Sequence, residues 1–267
     1  IGTLNNVILR LLAKTPPGKV AFTIIDPVGL GQSFAGLMHV ADHEDSIINR
    51  RIWTQRDQIE ERLAELNEHI EKVIQMYLRN EYASITEYNE QAGSVAEKYH
   101  FLVVADFPAG FSETSARRLQ SIAISGPRCG VFTLIHRDQR QPMPDGFVAD
   151  ELRENSVLIR QEKGQLLLGQ ESFKTAAKLV LDPPPTDDLA VDLVHRIGKA
   201  SIDSNRVEVP FSQVAPKPED YWLAETTNEL RIAVGRTGAT KLQYLAIGKG
   251  TRQHALFAGK TLSLIHI

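Results

Sequence analysis

Two short, almost wholly apolar runs in this chain each end in an aspartate. Val20 to Ile25 leads into Asp26-Pro27, and Phe101 to Ala105 leads into Asp106. A third run, Val131 to Ile135, has the same length and composition without the acid. Such runs offer water no polar face and must be covered on both sides, as parallel strands between helix layers are. Ser156 to Arg160 reads as a fourth strand. Strands that alternate with helical stretches specify an α/β fold with a mostly parallel sheet, and this first domain is expected to cover residues 1–181.

The helical stretches are legible from spacing. Leu4 to Leu12 forms a short apolar helix, stopped by Thr15-Pro16-Pro17-Gly18 because proline disfavours the helical conformation before it. Ile59, Leu63, Leu66, Ile70, Val73, Ile74, Tyr77 and Leu78 recur every three or four residues with charged residues between them, an amphipathic helix opened by Thr54 and Asp57. Ser112 opens another helix through Leu119 and Ile122, which Ser125-Gly126-Pro127 closes.

Asp182-Pro183-Pro184-Pro185 then breaks the alternation. Residues 182–229 read as a connector, with a short helix from Thr186-Asp187-Asp188 to Ile197 followed by a segment holding Pro210, Pro216 and Pro218. Residues 230–261, punctuated by Gly235, Gly238, Gly248 and Gly250, read as the start of a second α/β unit. The last six residues, Leu262 to Ile267, resemble one reading frame of a transposon-end sequencing adaptor. With Ile1 in place of an initiating Met, they suggest an open reading frame cut at both ends; a native apolar tail is the alternative.

Composition narrows the function classes. Across 267 residues, 30 Lys+Arg against 33 Asp+Glu leave a formal charge of −3, so any nucleic-acid contact must come from a local patch. One cysteine, Cys129, cannot form an internal disulfide. No secretory signal or membrane-length apolar run is present, which points to a cytoplasmic location, with membrane association of a longer protein left open.

Among residues able to carry chemistry, Asp106 stands first. A buried parallel strand ending in aspartate delivers a carboxylate to the sheet edge where open α/β sheets bind ligands; it serves there either as a magnesium holder or as a cap on the next turn. Asp26, followed by proline, reads as a turn former. Gly259, Lys260 and Thr261 follow a short apolar run, but residues 264 and 265 are Leu and Ile, so the phosphate-loop pattern G-x-x-x-x-G-K-[ST] is not completed. His39 and His43 are four apart without a third metal ligand in sequence, and His100 reads as structural. Arg128 beside Cys129 favours a lowered thiol pKa, yet a buried small residue is the better reading. Arg117, Arg118, Arg128, Arg137 and Arg140 gather around the third strand, either as phosphate or DNA contacts or as solvated surface.

Taken in order, these segments resemble the motor region of the FtsK/SpoIIIE family of DNA translocases. The resemblance rests on Phe22-Thr23-Ile24-Ile25-Asp26-Pro27 with Gly29, Tyr77 to Tyr82 leading to Glu87-Tyr88-Asn89, and Phe101 to Asp106 as the Walker B strand. It continues through Arg128 to Ile135 with Gln139-Arg140, then Gly248-Lys249-Gly250-Thr251 and His254 to Thr261. It implies RecA-like P-loop folds, ATP with Mg2+, a homo-oligomeric ring and double-stranded DNA threaded through it, in bacterial chromosome segregation and cell division. On this likeness Asp106 holds magnesium, Leu4 to Leu12 follows a phosphate loop lying upstream, and Gly259, Lys260 and Thr261 match the first three positions of another. The family has glutamate after the Walker B aspartate, where it activates water. Here Phe107 has no base, so the first unit reads as a degenerate, regulatory or structural copy. Arg128 sits one place closer to Gly130 than the family pattern has it. Two alternatives stand beside the translocase: a secretion-system motor ATPase of the same superfamily, with a degenerate domain and a protein substrate, and a non-catalytic nucleotide-binding assembly module.

Overall fold

Val20–Ile25 (β1), Tyr99–Phe107 (β2) and Val131–Arg137 (β3) form a parallel sheet in the order β1-β2-β3. This computed structural model describes residues 1–169, 177–204, 209–237, 241–250 and 253–256. All six residues of β1 are buried, as its composition requires. Phe22, Phe101 and Phe132 lie in register across the three strands, with ring centroids 5.5 and 5.4 Å apart. Stacked pairs of this kind add about 0.5–1.5 kcal/mol each beyond burial.

Helices cover the sheet. Gly2–Lys14 (α1) buries Ile8, Leu9 and Leu12, which join Phe22, Ile24, Phe34, Leu37 and Val103 in one core. The long amphipathic stretch is Arg56–Lys72 (α2), continued by a π turn over Val73–Leu78. Its N-cap is Gln55, with no side-chain cap bond, so the expected Thr54 start is displaced by one residue. Ile85–Ala92 is α3. Glu113–Ser125 (α4) begins at Ser112, whose hydroxyl accepts the Ser115 amide while Ser115 Oγ accepts the Ser112 amide, a reciprocal capping box.

One strand assignment changes. Leu158–Glu162 (β4) follows the short helix Ala149–Glu154 (α5), but it does not join the parallel sheet. It pairs antiparallel with Gln165–Gly169 (β5), which pairs with Ala177–Leu179 (β6). The physical reason lies in the sequence: Arg160, Gln161 and Glu162 are polar and exposed, and Lys163-Gly164, both at positive φ, turn the chain directly back. Asp187–Ser204 (α6) continues well beyond Ile197.

The chain divides into two units, one of Ile1–Glu90 and Ala96–Arg206, the other of Gln91–Val95 and Val207–Ile267. The second contains short 3-10 turns at Phe211–Gln213 and Pro218–Asp220 and an antiparallel pair, Leu230–Thr237 (β7) and Lys241–Ile247 (β8). No helix among the described residues is long and apolar enough to cross a membrane.

Candidate functional site

The carboxyl ends of β1 and β2 carry the two aspartates to the same edge of the sheet, where they do different work. Asp26 is fully buried, and its carboxylate accepts the amides of Gly29 (2.9 Å), Gly31 (3.2 Å) and Ser33 (3.3 Å). Its acceptor capacity is spent on its own loop, as expected of a turn former. Gly29 must be glycine here, because a Cβ would lie 2.5 Å from Asp26 Oδ2. Across the edge, a Cβ on Gly110 would meet the Pro27 Cβ at 2.8 Å, so the loops after β1 and β2 interlock closely.

Asp106 is presented rather than consumed. It sits where the β2–β3 register shifts, with φ of 53°, and its side chain is 22% exposed. A bulge at a strand end re-aims a side chain in this way. His136, at the end of β3, places Nδ1 3.0 Å from Asp106 Oδ1. Phe107 points the other way. It is fully buried, with its ring 5.0 Å from that of Phe111 and 5.1 Å from that of Phe147. The side chain after the aspartate therefore belongs to the core and does not reach the edge.

Arg137 ends β3, and Arg140 lies just beyond it. Arg137 is the register partner of Phe107, and its buried Nε makes no hydrogen bond. Arg140 clamps Asp138 through two parallel bonds of 2.8 and 3.0 Å. Those side-chain bonds, with a further one from the Arg140 amide, hold the Asp138 carboxyl far below the usual carboxylate range. Asp138 in turn donates its amide to the Phe107 carbonyl at 2.8 Å, tying this segment to the end of β2. Arg140 remains exposed, with its charge already matched by Asp138.

The other sequence candidates are not brought here. Arg128 precedes β3 at the opposite end of the sheet, and its Nε donates to the Ala83 carbonyl at 2.8 Å. Arg117 pairs with Glu113, and Arg118 donates to the Glu60 carbonyl. Gly259, Lys260 and Thr261 lie outside the described residues. Cys129 is fully buried, and burial pushes its thiol pKa up, outweighing the neighbouring Arg128. His43 finds a partner from afar, with its Nε2 3.2 Å from His195 Nδ1 on α6, while His39 Nδ1 lies 3.4 Å from Asp42. His136 was not singled out from the sequence, although a polar residue ending an apolar parallel strand is the same signal that marked Asp106.

The arrangement suits a hard cation. His136 Nδ1 lies 3.0 Å from Asp106 Oδ1 and 3.4 Å from the Asp106 amide, and among the described residues no hydrogen bond reaches Oδ2, which leaves the single carboxylate oxygen that magnesium takes from a protein while keeping water and phosphate ligands.

No family model matches the sequence, and no curated protein matches it. Solved structures do. The chain aligns with ATPases 2 and 3 of EssC from Geobacillus thermodenitrificans at TM-score 0.56 and 15% identity, over 92% of this chain and 51% of that one. The cytoplasmic domain of EssC gives TM-score 0.52 at 12% identity, over 92% of this chain and 52% of that one. The cytoplasmic domain of the type VII secretion ATPase EccC from Thermomonospora curvata gives 0.52 at 16%, over 92% of this chain and 34% of that one. The chain thus spans about half or less of the structures it resembles. At these identities the likeness establishes the fold: an α/β, RecA-like P-loop architecture.

Proposed function

We propose that this chain is part of a motor ATPase of the secretion-system kind, and that its first α/β unit is a degenerate copy that holds magnesium nucleotide without hydrolysing it. The observation that carries this reading is the pairing of Asp106, kept at the sheet edge, with Phe107, sealed in the core. Hydrolysis in this fold needs a residue that positions or activates water. The position after Asp106 supplies a phenyl ring facing away from the site.

Each local side chain has a role on this reading. Asp106 would hold the cation, which would supply positive charge to offset that of a nucleotide's phosphates. His136 fixes the orientation of the Asp106 carboxylate through Oδ1. Asp138 and Arg140 brace the segment that follows His136. A ring-shaped homo-oligomer with a protein substrate completes the proposal. Against double-stranded DNA stand the formal charge of −3 and the engagement of Arg117, Arg118, Arg128 and Arg140 with groups of this chain.

Fluorescence anisotropy with a labelled DNA duplex tests the choice of substrate. The expected result at physiological salt is no binding tighter than the non-specific range of about 10⁻⁴ to 10⁻⁶ M. Tighter binding that weakens steeply with added salt would return the chain to the DNA translocases.

A further inference from the structure

At the amino-terminal end of β2, remote from Asp106, three side chains far apart in sequence converge. His69 comes from the last turn of α2, Glu97 from the segment before β2, and His100 is the second residue of that strand. One ligand-type atom from each lies within 4.8 Å of the others, and the two imidazole rings are 4.4 Å apart. The six-residue separation of His100 and Asp106 along β2 puts this cluster about 20 Å from the candidate nucleotide site.

Three observations set the cluster apart from an accidental grouping. His69 Nε2 is buried and makes no hydrogen bond, an orphaned donor or acceptor of the kind that an undisturbed interior does not leave. Glu97 is held from several sides. Its main chain exchanges two bonds with the Asn89 amide, of 3.0 and 2.8 Å; its Oε1 accepts the Lys98 amide at 3.1 Å; and the Tyr77 hydroxyl donates to its carboxylate. Outer partners of this type are what orient metal-binding carboxylates. Burial also favours the neutral imidazoles, lowering the His69 pKa and bringing that of His100 to about 4, so both rings keep lone pairs at neutral pH.

We propose that His69, Glu97 and His100 bind a divalent transition-metal ion, zinc foremost, with water in the fourth position. Two imidazoles and one carboxylate make a ligand set that zinc takes in three-ligand sites, and imidazole selects against magnesium and calcium. Bonds of about 2.0–2.1 Å set tetrahedral ligand atoms about 3.3 Å apart, so the cluster must contract by no more than about 1.5 Å. Such an ion would staple the end of α2 to the start of β2.

Zinc alone is the probe, titrated into the 267-residue protein against a chromophoric chelator. One equivalent should bind, and His69→Gln and His100→Gln should each weaken affinity about tenfold or more. His195→Gln, which alters the other histidine cluster, should leave it unchanged. Absence of zinc binding, retained affinity in both variants, or loss only in His195→Gln would overturn the proposal. Should those variants not fold, the unmodified protein supplies the answer through oxidation by copper(II) and ascorbate with peptide mass spectrometry. Oxidation at His69 or His100 that zinc suppresses supports the site. Oxidation only elsewhere, or insensitive to zinc, contradicts it.

Discussion

At the scale of single residues, the proposed function turns on the contrast between Asp106, kept at the sheet edge, and Phe107, buried in the core. Restoring an acid at 107 would not restore a catalyst, because that side chain is fully buried against Phe111 and Phe147. Phe107→Glu should cost about 3 kcal/mol or more, the scale of leaving a buried charge unpaired, and urea unfolding measures it. Asp106→Asn, at a partly exposed position, should leave stability nearly unchanged in the same experiment. Cys129 makes a second case. Because burial raises its thiol pKa, the native protein at pH 8 should react with Ellman's reagent far more slowly than the urea-unfolded chain. Equal rates would place the thiol at the surface. Asp106 was legible in sequence because a single strand announces it. His136, His195 and the convergence of His69 with Glu97 and His100 were not, because each depends on which elements become neighbours.

Among elements, the sequence was most readable where burial is complete. β1 runs from Val20 to Ile25, the span of the apolar run itself, since a strand covered on both faces must be apolar at nearly every position. The start of α4 was equally plain. Ser112→Ala should remove the reciprocal cap and lower stability by about 1 kcal/mol, read as a fall in thermal midpoint. An unchanged midpoint would mean that the cap contributes nothing. β4 was harder. Val157 just before it and its own Leu158 and Ile159 resemble a core strand locally, but the turn at Lys163-Gly164 makes it one arm of a hairpin with exposed residues. Thr54 likewise looked like a helix cap, whereas Gln55 occupies that place without a side-chain bond.

For the molecule as a whole, the ordered motifs led to an α/β, RecA-like fold, and the EssC and EccC structures share that architecture at TM-scores of 0.52 to 0.56. The motif resemblance put double-stranded DNA first and a protein substrate second; the solved structures that the chain resembles are secretion ATPases, which favours the second reading. On the function proposed above, the buried Phe107 belongs to a copy that does not hydrolyse ATP, and the internally engaged arginines leave little charge for DNA. The most direct test is ATP turnover by the purified chain with Mg2+, with and without duplex DNA, beside Asp106→Asn. The account predicts the same background rate in all of these conditions. Turnover that rises with DNA and disappears in Asp106→Asn would contradict it.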